Sequence, residues 1–421
     1  MDKFKRALGG GLAMLLSLAT VSCGGGGGGG GTVAPSSSGV TTVAAASNVV
    51  AVTVDAGPDS VSASTVNTLY TTVTVCVPGS TTECQAIDHI QVDTGSYGLR
   101  ILAPVLTLSL PVAMASDGNS LVECTQFVDG YSWGPIASAD VQIAGESASS
   151  VPVQVIGSSN FATVPTTCSS TGPAEDTVAQ FGANGILGIG VFEQDCGAGC
   201  VNSAAVGYYY SCSQTTCSPI AASLASQVLN PVPLFATDNN GSILVLPSVA
   251  ANGAASVSGS LIFGIDTESN NNSGTQTILT VAPGSSQTVL PGNFTTVYGG
   301  QTLSDSFIDS GTNGLFFNDS SIPACTSSNF TGFYCPASTL SRSATLTGVN
   351  NVSTTVDFSI ANAQTLATNN PTYTAFSTLG GTYSSSTTTF DWGLPFYFGR
   401  RVATAIENHS TSVGTGPYVA F

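Results

Sequence analysis

Val92-Asp93-Thr94-Gly95-Ser96-Tyr97-Gly98-Leu99 is answered, about half a chain later, by Ile308-Asp309-Ser310-Gly311-Thr312-Asn313-Gly314-Leu315. Each copy reads apolar residue, Asp, small hydroxyl residue, Gly, second hydroxyl residue, any residue, Gly, Leu. An Asp in a turn is ordinarily a cap for its own loop. Duplication changes that reading, because an internal repeat implies two units of similar build. Two such turns facing each other place two carboxylates around one water.

The surroundings agree with two β units. The chain has 421 residues, enough for one large core or two of ordinary size, and only 7% of them are charged. Gly, Ser, Thr, Val and Ala dominate, a composition that suits strands and turns rather than helices laced by Glu–Lys pairs. From residue 48 onward, Val/Thr/Ile-rich runs alternate with Gly, Asn, Asp and Pro. Strands are predicted at Val49–Val54, Leu69–Val77, His89–Val92, Val151–Ile156 and Ser242–Leu246. Ile220–Leu229 is the best helix candidate. The expected joint between halves is Pro231–Asn240, which gives a first β lobe over 48–235 and a second over 236–421.

Lys3, Lys5 and Arg6 precede the short apolar stretch Leu12–Val21, so residues 1–22 read as a signal peptide. Cys23 after Ser22 resembles a bacterial lipobox, with Thr20 where Leu is usual, and would be the lipidated first mature residue. The alternative is an ordinary secretion signal with an incidental Cys. Gly24–Gly31 and the Ser-rich stretch up to residue 47 read as a flexible tether. Setting Cys23 aside leaves an even set of ten of the 11 cysteines, suited to five disulfides in an oxidising compartment. Cys76–Cys84 and Cys325–Cys335 bracket short loops and are the expected pairs. Cys196, Cys200, Cys212 and Cys217 stay open, with a zinc site as the rival to disulfides. Removing residues 1–22 takes three basic residues and Asp2, moving the net charge from −17 to −19 with no Lys left. Such a surface repels nucleic acid and anionic membranes.

The two Asp turns, with their flanking segments in order, resemble the two-lobed pepsin-like aspartic proteases over roughly residues 66–421. Phe127–Gly134 and the run to Ile143 are similar to that family's flap hairpin. Asn184-Gly185-Ile186-Leu187-Gly188-Ile189-Gly190 resembles the apolar-Gly segment beneath the first Asp loop. Gly259–Gly264 looks like the strand opening the second lobe, and Trp392–Phe396 with Tyr397–Arg401 looks like the second apolar-Gly segment. More narrowly, the chain is similar to bacterial predicted lipoproteins catalogued only as a domain of unknown function, in its Gly-rich tether, Cys pattern and Phe390-Asp391-Trp392-Gly393-Leu394-Pro395-Phe396 segment.

The resemblance implies an all-β, two-lobed fold and an endopeptidase without cofactor or metal. Asp93 and Asp309 would activate water. Two carboxylates in hydrogen-bonding range do not both ionise cheaply, so the pair holds one proton and titrates as a unit. Gly95 and Gly311 would let backbone approach the carboxylates, Thr94 and Ser310 would tie the loops, and Ser96 and Thr312 would bind the outer carboxylate oxygens. Phe127, Gly130, Tyr131 and Trp133 would form a flap over an extended peptide, with Tyr131 and Trp133 either contributing there or simply exposed. Two positions depart from the family pattern. Phe127 stands where a Tyr is usual, and Arg100 stands where a Trp is usual; Arg100 could pair with an acid or raise the local positive potential. Nor is there a basic propeptide, since residues 32–66 lack Lys and Arg.

The expected partners are a peptide or protein substrate and, through Cys23, a membrane of the bacterial envelope, either the outer membrane or one facing the periplasm. The protein is expected to be monomeric and not to bind nucleic acid. A non-catalytic peptide- or glycan-binding lipoprotein is the alternative. His89 is expected to be structural and Asp266 an ordinary turn residue. No His-Glu-x-x-His or phosphate loop occurs.

Overall fold

A computed structural model describes residues 43–421 except 62–63, 128–129, 171, 214–215 and 287–288. The expected signal peptide, Cys23 and most of the tether therefore lie outside the described residues.

The first half of the chain contributes strands β1 (Val49–Val54), β2 (Leu69–Cys76), β3 (Cys84–Asp93), β4 (Tyr97–Leu102), β5 (Ser120–Gln126), β6 (Tyr131–Ile143), β7 (Glu146–Ile156), β8 (Gly185–Ile189), β9 (Tyr209–Cys212) and β10 (Cys217–Pro219). The second half adds β11 (Gly241–Val245), β12 (Val257–Phe263), β13 (Ile278–Thr280), β14 (Phe294–Tyr298), β15 (Gln301–Ile308), β16 (Leu315–Phe316), β17 (Leu340–Thr347), β18 (Ser353–Ile360), β19 (Gly380–Gly381), β20 (Asp391–Trp392) and β21 (Arg401–Ala405). The longest α-helix among the described residues is Ala363–Asn369. The fold is all-β, as β-branched and small residues at alternating burial dictate.

Both lobes thread their Asp loop the same way. In the first, β3 runs parallel to β8 with Asp93 opposite Gly188, and β8 pairs antiparallel with β4. In the second, β15 runs parallel to β20, which pairs antiparallel with β16. A central strand thus passes between the two arms of each Asp turn. All five residues of β8 are buried, so it reads as a continuous apolar-Gly run rather than an alternating one. The lobes are joined by a shared layer in which β1 pairs with β12, and β11 lies between β12 and β21. The first lobe's opening strand therefore packs with the second half of the chain. One apolar core, including Val92, Leu187, Ile308, Leu315 and Trp392, runs through both.

The five predicted strands coincide with β1, β2, β3, β7 and β11, with Val77 and Leu246 one residue beyond the ends of β2 and β11. The predicted helix at Ile220–Leu229 is not one: only Leu224–Ser226 makes a 3₁₀ turn. Its polar groups bind neighbouring segments instead of their own helix. Gln227 Nε2 donates to Gly197 O at 2.9 Å, and the Val228 N–H donates to Tyr209 Oη at 2.8 Å.

All ten cysteines after Cys23 are paired: Cys76–Cys84, Cys124–Cys168, Cys196–Cys200, Cys212–Cys217 and Cys325–Cys335. The four-cysteine cluster is thus two disulfides. No helix among the described residues is long and apolar enough to cross a membrane.

Candidate active site

Each aspartate sits where a buried strand breaks into a turn, and each is 1% exposed. The donors around them are matched. The Gly95 N–H donates to Asp93 Oδ1 at 2.8 Å, and the Gly311 N–H donates to Asp309 Oδ1 at 2.6 Å. Ser96 Oγ donates to Asp93 Oδ2 at 2.5 Å, and Thr312 Oγ1 lies 2.9 Å from Asp309 Oδ2. The two carboxyls are hydrogen-bonded to each other. Glycine is obligatory between them: a Cβ on Gly95 would lie 2.5 Å from Asp309 Cγ, and one on Gly311 would collide with Asp93 Oδ1.

Behind the carboxyls the turns clasp each other. The Thr94 N–H donates to Ser310 Oγ at 3.1 Å, and the Ser310 N–H donates to Thr94 Oγ1 at 3.0 Å. Ser310 Oγ donates in turn to Val92 O at 2.9 Å. Three clamps that the sequence reading missed reinforce this. Gln91 Nε2 donates to Gly311 O at 2.9 Å, Asn67 Nδ2 donates to Asn313 O at 2.8 Å, and Tyr397 Oη lies 2.7 Å from Thr94 Oγ1. All three clamping side chains are buried, and such cross-lobe contacts leave no periodic signal in a sequence.

Burial pushes the Asp309 carboxyl well above the usual carboxylate range, helped by the neighbouring charges of Asp93 and Asp391. Asp391 is a third acid at the site and is fully buried. It opens β20, and its Oδ2 lies 3.0 Å from the same Thr312 hydroxyl. The signal was present in the chain, as the one charge within the apolar run Phe390–Phe398.

The flap residues are arranged differently from expectation. β5 and β6 form the hairpin, with Gln126 opposite Tyr131 and the Phe127 N–H donating to Gly130 O at 2.8 Å. Tyr131 and Trp133, however, are not exposed tip aromatics: Phe127, Tyr131 and Trp133 are 4%, 8% and 4% exposed. Two segments cover them. The Phe127 ring meets Phe181 edge-on at 6.2 Å, and the Tyr131 N–H donates to Pro173 O at 3.0 Å. A Cβ on Gly130 would collide with Pro173 O at 2.5 Å. Trp133 packs on Tyr210 and donates to Phe161 O at 2.8 Å. Cys124–Cys168 links the flap strand to the covering segment covalently. The hairpin is pinned because its aromatics supply a local core for these insertions.

Of the two expectations for Arg100, the structure shows ion pairing. Its guanidinium is buried, 2.7 Å from Glu123 Oε1 on β5 and 3.0 Å from Asp195 Oδ2. Burial opposes its charge, and the two acids more than offset that, leaving its pKa raised. Burial, then Glu123, hold the Asp195 carboxyl well above the usual range. Two acids thus share the one cation. His89 is a structural neighbour of Asp55 and Asp88, at 3.5 and 3.1 Å, and Asp266 caps its turn by accepting from the Ser273 N–H at 2.6 Å.

A cavity of about 650 Å³ opens beside the first Asp turn, between the lobes. Thr94, Tyr97 and Phe192 line one wall, and Leu290, Phe294 and Phe307 the other. Neither aspartate lines it, nor do Phe127, Gly130, Tyr131 or Trp133. Glu407 does reach it, and burial raises that carboxyl's pKa. Among the described residues, no group of three or more His, Cys, Asp or Glu side chains is placed to hold a metal ion.

A family model described as Protein of unknown function (DUF3443) matches residues 44–421. No curated protein sequence matches the chain. Among solved structures, the chain is similar to the aspartic proteinase from Irpex lacteus, with 15% identity, a TM-score of 0.47, and coverage of 88% of this chain and 96% of that one. The chain belongs to the DUF3443 family.

Proposed function

We propose that the protein is an aspartic-type endopeptidase. The observation that carries this reading is the mirrored carboxyl pair. Asp93 and Asp309 are buried, bonded to each other, and each oriented by one Gly N–H and one hydroxyl. In such a pair the ionised member takes a proton from a water as its oxygen attacks the peptide carbonyl. The protonated member gives its proton to the carbonyl oxygen. The tetrahedral gem-diol then collapses: the C–N bond breaks, the amine nitrogen leaves with a proton from the now protonated member, and the ionised member takes a proton from a gem-diol hydroxyl, which restores the singly protonated pair. We further propose that the mature chain is a monomer held on the bacterial envelope by a lipid on Cys23, which acyl-chain detection at the mature N-terminus tests.

One observation favours a second reading. The hairpin that would close over a peptide is bonded to its own cover by Cys124–Cys168 and has its aromatics buried. A cleft with a fixed hairpin suits a non-catalytic peptide- or glycan-binding module.

A peptide-library cleavage assay over about pH 3 to 7 separates them, using wild type, Asp93→Asn and Asp309→Asn. Cleavage by wild type and loss in both variants is expected. Activity surviving either substitution refutes the dyad mechanism, and absence of cleavage at every pH passes the assignment to binding.

A further inference from the structure

We propose that Asp391 is a third member of the carboxyl cluster, so that the row Asp93–Asp309–Thr312–Asp391 holds two carboxyl protons and one negative charge. Asp93 is bonded to Asp309, Asp309 Oδ2 lies 2.9 Å from Thr312 Oγ1, and Thr312 Oγ1 lies 3.0 Å from Asp391 Oδ2. These are three oxygen–oxygen contacts in series, and each needs a proton between its atoms. A threonine hydroxyl has one to donate and otherwise only accepts. The remaining two must come from the three acids, one more than an isolated pair of aspartates carries.

The surroundings bear on the same charge. Asp391 and Asp309 are 0% and 1% exposed. Tyr383 and Tyr397 face the cluster, and burial raises both phenols' pKa above the ordinary tyrosine value, so neither contributes a negative charge. Asp305, further along β15, is held at its own site by Thr388 Oγ1 at 2.6 Å. With Asp391 donating to Thr312, the Thr312 proton is committed to Asp309 Oδ2, which fixes that carboxyl in the turn. Asp391 is then a positioning residue and a proton store behind Asp309. Its catalytic consequence rests on the endopeptidase reading; the proton count does not.

The count is measured without any activity. A cluster that keeps an extra proton when folded releases it on unfolding, so wild type loses stability as pH rises through the carboxylate range. Asp391→Asn, whose amide still donates to Thr312, and Asp391→Ala, should the Asn chain misfold, both lack that proton. Unfolding equilibrium constants are to be measured in denaturant from about pH 4 to 7. The ratio of wild type to variant should rise about tenfold per pH unit above the unfolded carboxyl pKa. A ratio independent of pH overturns the proposal. If wild type cleaves peptides, Asp391→Asn should also move the alkaline limb of kcat/KM to lower pH, because the cluster has one proton fewer to lose before the pair empties. A chain that cleaves nothing but shows the rising ratio keeps this inference and removes the endopeptidase. Cleavage with a flat ratio does the reverse.

Discussion

Replacing Arg100 with Met should test what stands behind the flap. The methionine fills much of the same space, so the loss is chiefly electrostatic. The guanidinium and its partners Glu123 and Asp195 are 1%, 0% and 0% exposed at their side chains. Removing one partner of a buried ion pair costs about 3–5 kcal/mol, because the charge left behind has neither water nor a counter-ion. Here two carboxyls are left, although Asp195 already has a raised pKa in the intact cluster and so carries part of the penalty in wild type. We therefore expect a loss near the lower end of that range at neutral pH. The sign with pH is fixed. Both acids in the variant have folded pKa values above their unfolded ones, so stability is intact below the unfolded carboxyl pKa and is lost as pH rises. Denaturant unfolding at about pH 4 and pH 7 should show the Met variant close to wild type at the lower pH and well below it at the higher. Equal losses at both pH values would show that packing, not charge, makes Arg100 matter. A loss under about 1 kcal/mol at pH 7 would refute the buried-pair argument altogether.

Two other substitutions probe the clasp and the flap. Thr94→Val keeps the side-chain shape but strips the acceptor from the Ser310 N–H and the partner from Tyr397 Oη; leaving buried polar groups unsatisfied should cost about 1–3 kcal/mol. Calorimetry measures the loss, and any peptide cleavage should fall through kcat rather than KM. Replacing Cys124 and Cys168 together by Ser opens a link spanning 44 residues, worth about 4 kcal/mol on the chain-entropy model. Limited proteolysis should then cut first in the covering segment 157–183, and cleavage there at the wild-type rate would show that the disulfide does not pin it.

Much of this protein is legible in its sequence, because local chemistry encodes it. The repeated turn, with Gly where backbone must approach a carboxyl and hydroxyls where oxygens need donors, locates Asp93 and Asp309 and implies one β lobe around each. Val/Thr/Ile runs between turn residues mark the strands, since a strand's side chains alternate whatever it pairs with. Short-range cysteines are readable for a related reason: a loop of 8 or 10 residues, as in Cys76–Cys84 and Cys325–Cys335, brings its own ends together.

What tertiary structure alone decided depends on segments far apart in the chain. Arg100 meets Glu123 and Asp195 from different elements, so its charge is paired inside the fold. Phe127, Tyr131 and Trp133 look like the tip of a mobile hairpin until the segments carrying Phe161, Pro173 and Phe181 fold over them. Ile220–Leu229 has enough apolar residues for a helix, yet its backbone is claimed by neighbours. Asp391 reads as a stray charge in an apolar run, and it becomes part of the site only because β20 pairs with β15 and β16 on either side of Asp309. The sequence states which groups are available. Their protonation and freedom to move are set by the burial and charge around them, and those are supplied by residues as much as three hundred or more positions away, as when Asn67 Nδ2 donates to Phe376 O at a separation of 309.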